Sequence, residues 1–458
     1  MKDLTQHSIA QHIIHMAAPI AAGMIVQVLY QLIDLYFVSG LGDAAIAGVS
    51  TAGTAAYVVF ALTRVLGVGT TAVISHAVGR KDRADANLMY NQSLVMSGLC
   101  SVVVLVSGYL FIRFYLHSVA ADKATIDAGT TYMYWMMPGL ALQFALTTMV
   151  SALGATGIVK PAMFVQMFSV VMNTILAPIL IAGWGTQHPL GVAGAGLATS
   201  ISVAAGVLVL WVYFHRLEHY IAINRKLQRP QWTYWNRILQ VGLPSGGEIA
   251  VMFVYTAITY YVIRHFGAAA QAGFGIGSRI LQAVMLPAMA VAFAAAPIAG
   301  QNFGARNGPR VRETFRQAAL IGSLVMLIPT IFGQWRPEYF VGLFTKDPQA
   351  RAVGTLYVHL ISWTFVAQGL IFTCSSMFQG LGNTRPSLLS SVSRLVTYGV
   401  PAIWLSGRMG FRLEYAWYLA IATVALQVSV SLLLLRREFH KRLPPLEKAP
   451  LAERATAS

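Results

Sequence analysis

Residues 19–38 read Pro-Ile-Ala-Ala-Gly-Met-Ile-Val-Gln-Val-Leu-Tyr-Gln-Leu-Ile-Asp-Leu-Tyr-Phe-Val, and this stretch decides the fold class. Taken from residue 13, the apolar run reaches residue 38. That is enough to cross about 30 Å of hydrocarbon at roughly 20 residues per span. Gln27, Tyr30, Gln31 and Asp34 fall on one helical face, so the span carries a polar stripe rather than an all-round lipid face. A carboxylate there costs at least about 2.5 kcal/mol on insertion scales, which makes Asp34 a site for an ion, a proton or a pathway. Burial raises a carboxyl pKa toward neutrality, and the same oxygens could hold sodium, so the residues leave proton and sodium both open.

The rest of the chain repeats the pattern. Eleven more apolar runs follow, near 44–75, 91–114, 130–152, 162–182, 192–214, 238–263, 269–299, 316–334, 352–378, 387–406 and 416–435. The 458 residues are 56% hydrophobic and 10% charged, against about 25% charged in soluble domains, which excludes a water-soluble enzyme. The expected fold class is an all-α integral membrane protein with twelve transmembrane helices. Its net charge of +16 sits in short loops without a basic surface interleaved with aromatics, so no nucleic acid is expected as a partner. Cys100 and Cys374 are isolated in apolar runs without a CxxC partner, so neither a disulfide framework nor a zinc site is indicated. His12 and His15 are read as an interfacial turn in preference to a metal pair.

With the N-terminus inside, 21 Lys and Arg lie on that side and 8 on the other; the remaining three, Arg64, Arg279 and Arg394, lie within spans. This asymmetry predicts both termini in the cytoplasm of a cell (inner) membrane. The loop 215–237 splits the spans six and six, giving an N-terminal lobe (1–214), a C-terminal lobe (238–435) and a basic tail (436–458). At an offset of 225, Pro19 meets Pro244, Tyr30 meets Tyr255 and Gly79 meets Gly304. Val78-Gly-Arg-Lys81 and Phe303-Gly-Ala-Arg306 occupy the same turn of each half, so two pseudo-symmetric six-helix bundles are predicted, related by an axis along the membrane normal.

Of the sixteen acidic residues only Asp34 and Glu248 fall well inside spans. Asp34 lies too far from Arg64 in depth to pair with it. Glu248 and Arg279 both approach the midplane, and an ion pair between them is a working expectation; Arg394, without an acidic partner in sequence, is expected to face an aqueous cleft. Met24, Tyr57, Met252 and Tyr255, with Arg279, are expected to line a soft aromatic wall for planar cations. Pro19 removes a backbone hydrogen bond from span 1 and invites a kink, either a hinge or a static one.

Gln31-Leu-Ile-Asp34-Leu-Tyr-Phe-Val, Leu41-Gly-Asp-Ala-Ala-Ile-Ala-Gly48, Leu153-Gly-Ala-Thr, Gly191-Val-Ala-Gly-Ala-Gly-Leu-Ala-Thr199, Gly242-Leu-Pro244, Gln301-Asn-Phe-Gly-Ala-Arg-Asn and Gly380-Leu-Gly-Asn-Thr-Arg stand in a fixed order across the spans. Together they resemble the multidrug and toxic compound extrusion (MATE) transporter family over nearly the whole length. The acid four residues past Pro244 is more similar to the DinF-like branch. The resemblance implies an antiporter that exports organic cations in exchange for protons, or sodium, by alternating opening of a cleft, without an organic cofactor. It further implies Asp34 as the coupling carboxylate, with Gln27, Tyr30, Asn173 and Thr199 around it and Glu248 as the acid of the second lobe. Ala177 stands where many relatives have Asp, and span 10 has no acid; both departures favour protons. Export of an endogenous metabolite or lipid-linked precursor is the alternative. An intramembrane enzyme is the remote one, because no nucleophile with a base, and no metal set, lies within the spans. A monomer in the bilayer is expected.

Overall fold

A computed structural model describes residues 2–119, 122–185, 187–218, 220–408 and 410–444; the side chains of Tyr30, Gln31, Leu32, Asp34 and Leu35 lie outside the described set. Twelve helical stretches are long and apolar enough to cross a membrane. The N-terminal lobe holds α1 (Ile9–Ser39), α2 (Asp43–Gly79), α3 (Arg83–Val119), α4 (Lys123–Ala155), α5 (Lys160–Ala182) and α6 (Val192–Arg216). The C-terminal lobe holds α7 (Trp232–Ile263), α8 (Ala268–Gly304), α9 (Gly308–Trp335), the short α10 (Pro337–Gly342), α11 (Pro348–Ile361), α12 (Phe365–Gly380), α13 (Arg385–Ser406) and α14 (Leu413–Arg442).

The helix starts follow from the sequence. Asp122 caps α4 by accepting the Thr125 N–H at 2.8 Å, and Asp347 caps α11 by accepting from Gln349 and Ala350. Pro161, Pro309, Pro348 and Pro386 sit in first turns, where a missing N–H costs nothing. Span 10 differs from the single run expected: α11 and α12 are joined by a 3-10 turn at Ser362–Thr364. α7 also begins six residues before the expected position 238, inside the segment read as loop.

What remains between the lobes is not a free linker. Asn91 Nδ2 donates to the Ala222 carbonyl, Asn87 Oδ1 accepts the Ala222 N–H, and Gln92 donates to the Leu227 and Arg229 carbonyls. These bonds fasten the segment to α3. Each lobe has its own core, around Tyr90, Phe144 and Phe214 in the first and Phe274, Tyr398 and Trp417 in the second.

The even number of spans puts both chain ends on one face, here called the terminal face. There the lobes close tightly. A Cβ on Gly79 would lie 2.0 Å from the Gln301 carbonyl oxygen, one on Gly304 2.2 Å from that of His76, and one on Gly242 2.1 Å from that of Val65. Glycine is therefore required at these crossings, because only a bare Cα lets the backbones approach so closely. Ile9, Ile13 and Met16 of α1 pack on Ala290, Ala294 and Ile298 of α8 in the same half. Farther toward the opposite face, Tyr57 of α2 and Phe253 of α7 touch edge-on at 6.0 Å, yet Tyr57 is 52% exposed. This cross-lobe pair is left half open, in contrast to the glycine crossings of the terminal face.

Candidate functional site

In the N-terminal lobe, α1 and α5 run parallel and pack on each other, and the Gln166 side-chain amide donates to Gln27 Oε1. That bond sets the register: seven residues farther along each helix, two turns, positions 34 and 173 stand level. Asn173 is fully buried, and neither atom of its amide has a partner among the described residues. Such a group normally finds one, so its orphaned donor and acceptor point to an occupant or a changing neighbour. Thr199 of α6, also buried, donates to the Ala195 carbonyl of its own helix at 3.2 Å. The side chains of Tyr30 and Asp34 lie outside the described residues; their backbone places them in continuous helix α1. Pro19 also lies inside this helix, without interrupting it.

In the C-terminal lobe Glu248 accepts the Ser375 hydroxyl of α12 at 3.1 Å through Oε2, with Ser387 of α13 also beside the carboxyl group; its Oε1 is buried without a partner among the described residues. The charge nearest in effect is Arg64 of α2, whose guanidinium stacks over Phe293 of α8 at 4.4 Å. The expected pair with Arg279 does not form among the described residues. The reason is packing: α7 is covered by α2 and α13 and scarcely meets α8, and Arg279 is exposed. Arg394, expected to face an aqueous cleft, is partly exposed, with its guanidinium 4.5 Å from the centre of the Tyr255 ring.

The residues expected to line a cation wall divide. Tyr57 and Met252 are both about half exposed, next to Phe253, where α2 and α7 meet across the lobes. Met24 packs among the α1 and α8 side chains. Tyr255 turns away into its own lobe, 4.5 Å from the Tyr398 ring. His12, considered for a metal pair, instead bonds through Nε2 to the Gln6 carbonyl oxygen at 2.7 Å.

Two lobes of like architecture, each with a buried polar group, are matched twice by one family model: MatE covers residues 19–179 and again 244–405. The chain belongs to the MatE family. The two matches begin at Pro19 and Pro244, the offset of 225 that the repeated turns gave. This MatE chain is 25% identical over 412 residues to "Multidrug export protein MepA" of Staphylococcus aureus (strain MRSA252), covering 89% of each chain. It is 26% identical over 387 residues to "Probable multidrug resistance protein YpnP" of Bacillus subtilis (strain 168), covering 83% of this chain and 86% of that one. Among solved structures, "Crystal structure of MATE in the bent conformation" superposes with a TM-score of 0.90 at 24% identity, over 96% of this chain and 97% of that one, which establishes the shared fold. Family and fold are those of membrane transporters.

Several residues of this MatE chain that bond to the site residues or join the lobes were not singled out from sequence. Gln166 shares a face with Asn173, and that spacing was the available signal. Ser375 and Ser387 carried none, because an isolated Ser in an apolar run is ordinary. His76, whose Nε2 lies 2.6 Å from the Gly380 carbonyl oxygen across the lobes, sat at a predicted span end.

Proposed function

We propose that the protein exports organic cations in exchange for protons by alternating access, with Asp34 as the group that loads and releases the proton. The observation that carries this reading is the unpartnered amide of Asn173, level with position 34 and fully buried. An amide there can donate to a carboxylate and accept from a carboxylic acid, so it serves both protonation states. Protonation from the side of the open cleft removes a charge, weakens cation binding and favours closure of that side; the proton then leaves on the terminal face. Substrate and proton must be linked, since a ligand drives a two-state change only through its differential affinity for the states.

Gln27, Tyr30 and Thr199 surround the exchange site in this reading, Glu248 is a second polar anchor in the other lobe, Pro19 is the hinge of α1, and Tyr57, Met252 and Met24 meet the drug. Sodium is the secondary coupling ion; Ala177 supplies no second carboxylate for it. The protein acts as a monomer in the cell membrane, with no nucleic-acid partner and with the terminal face in the cytoplasm, as the 21 to 8 distribution of basic residues supports. The names of the MepA and YpnP relatives agree with drug export; an endogenous metabolite is the alternative cargo.

The test is uptake of a fluorescent organic cation into inverted membrane vesicles under a proton gradient without sodium. Wild type should accumulate the dye and Asp34→Asn should not. Coupled uptake retained by Asp34→Asn would overturn the assignment.

A further inference from the structure

A groove of about 430 Å³ opens on the terminal face where three stretches of chain meet: the N-terminal segment at Lys2, α1 at His15 and Met16, and the α4–α5 link from Ile158 to Lys160. Lys2, His15 and Lys160 are exposed there, and none of them forms an ion pair among the described residues. No carboxylate lines the groove among the described residues. The acid next in the chain, Asp3, is engaged by the N–H and hydroxyl of Thr5. Met16, Ile158 and Val159 give the groove an apolar wall. Unpaired cations beside such a wall suit an anion that carries a hydrocarbon part.

Position selects the anion. Phe164 stands one turn inward from Lys160 on α5 and is 61% exposed, and Ile14, beside His15 on α1, is 54% exposed. Because the lobes are closed on this face, both side chains turn to the acyl chains around the protein. A free phosphate would use the ammonium groups alone and leave the apolar wall wet. A phospholipid sets its phosphate against Lys2, Lys160 and a His15 N–H, and its glycerol and first methylenes against Met16, Ile158 and Val159. Phosphatidylcholine brings a cation beside its phosphate, so an anionic headgroup fits this groove better.

We propose that this groove binds the headgroup of an anionic phospholipid and that the bound lipid holds the terminal face closed. The two walls belong to different partners. His15 and Met16 sit on the part of α1 that packs on Ala290, Ala294 and Ile298 of α8, whereas residues 158–160 belong to the N-terminal lobe. Lys2 spans them: its N–H donates to the Thr156 carbonyl at 2.8 Å, while two residues on the Leu4 N–H donates to Gln301 of α8 at 3.0 Å. Parting of the lobes takes the groove apart, so the lipid binds the closed arrangement better and shifts the population toward it. The inference concerns closure of the face and stands apart from the export reading.

Hydrogen exchange at the Leu4 amide reads closure, and the full chain in nanodiscs gives the test. In wild type, exchange should be slower by about tenfold or more when phosphatidylglycerol is mixed into phosphatidylcholine than in phosphatidylcholine alone, as two lysine–lipid contacts predict. Lys2→Gln together with Lys160→Gln should make the rates in the two lipids equal. The control, Arg225→Gln together with Lys226→Gln, removes the same charge from the exposed inter-lobe segment on the same face and should keep the lipid effect. An equal loss in the control would assign the effect to general attraction and overturn the site. Wild type without a lipid effect would overturn it as well. Glycerol phosphate that slows exchange in phosphatidylcholine nanodiscs as much as phosphatidylglycerol does would assign the groove to a free phosphate and overturn the lipid. If the double variant does not give a monodisperse protein, Lys160→Gln alone should shrink the effect about threefold or more, and an undiminished effect there would overturn the proposal.

Discussion

Gln301 of α8 donates its side-chain amide to the Ala155 carbonyl of α4 at 2.8 Å while its Oε1 accepts the Leu4 N–H at 3.0 Å. One fully buried side chain thus joins the two lobes and the N-terminal segment. Around it the Lys2 N–H donates to the Thr156 carbonyl, the Asn302 amide to that of Leu4, and the Arg310 guanidinium to those of Gln6 and His7, so residues 2–8 form a strap across the closed face. In Gln301→Leu two buried backbone groups lose their partner, at about 1–3 kcal/mol each. The expected outcome is a terminal face that opens more often. Hydrogen exchange at Leu4 should quicken by about tenfold or more while α3 keeps its protection. Unchanged exchange at Leu4 would remove Gln301 from the closure.

Glycine at the lobe crossing gives a sharper test. Because a Cβ on Gly79 would overlap the Gln301 carbonyl oxygen, Gly79→Ala should keep the terminal face from closing fully. A cysteine introduced beside the crossing should then label faster than in wild type. Gly98→Ala is the control, since nothing lies within 4 Å of its Cβ position; there the change should be neutral or stabilise by about 0.5–1 kcal/mol. Equal labelling in the two variants would show that the crossing tolerates a methyl group.

The sequence carried the span count, the division into lobes and the offset of 225 because each rests on hydropathy and turn chemistry, which act locally. It placed Asp34 and Glu248 within spans for the same reason, since a carboxylate in an apolar run stands out. Partners were not legible. Whether Glu248 meets Arg279 or Arg64 depends on which helices cover α7, and a span list does not state which helices touch. Arg394 was visible as a lone charge, but its Tyr255 and Gln427 neighbours come from α7 and α14, 139 residues before it and 33 after it in the chain. The strap was hidden because its hydrogen bonds run through backbone groups that every residue has.

The strap also gives a pH dependence. Asp3 accepts the Thr5 N–H at 2.9 Å and the Thr5 hydroxyl at 2.5 Å. Burial works to raise its carboxyl pKa, but the Thr5 bonds together with Lys81 and Arg310 prevail and hold it below the ordinary 3.8. A depressed carboxyl pKa stabilises the folded arrangement above the unfolded value and ceases to do so as pH falls through the lowered one. Exchange of the Thr5 amide should therefore be better protected at about pH 6 than at about pH 3 once the intrinsic pH effect is divided out. Asp3→Asn should flatten that difference, and a difference that survives the substitution would assign it to another group.

Glu248 and Arg64 supply the last prediction. They come from different lobes, Glu248 on α7 and Arg64 on α2, and Arg64 lies over Phe293 rather than on the carboxylate. Their interaction is electrostatic and without a direct bond, so each partially neutralises the other in a region where single charges are costly. Glu248→Gln keeps an acceptor for the Ser375 hydroxyl and removes only the charge, leaving Arg64 uncompensated. It should lower the melting temperature more than Ser375→Ala, which removes the hydrogen bond and keeps the charge. Arg64→Gln should be destabilising in the wild-type protein and less so in a protein that already carries Glu248→Gln, with a coupling of at least about 0.5 kcal/mol, the size that separates interacting residues from independent ones. The same cycle run with Arg279→Gln should be additive, because α7 scarcely meets α8 and Arg279 is exposed. Additivity with Arg64 and coupling with Arg279 would reverse the assignment of the charge that Glu248 answers to.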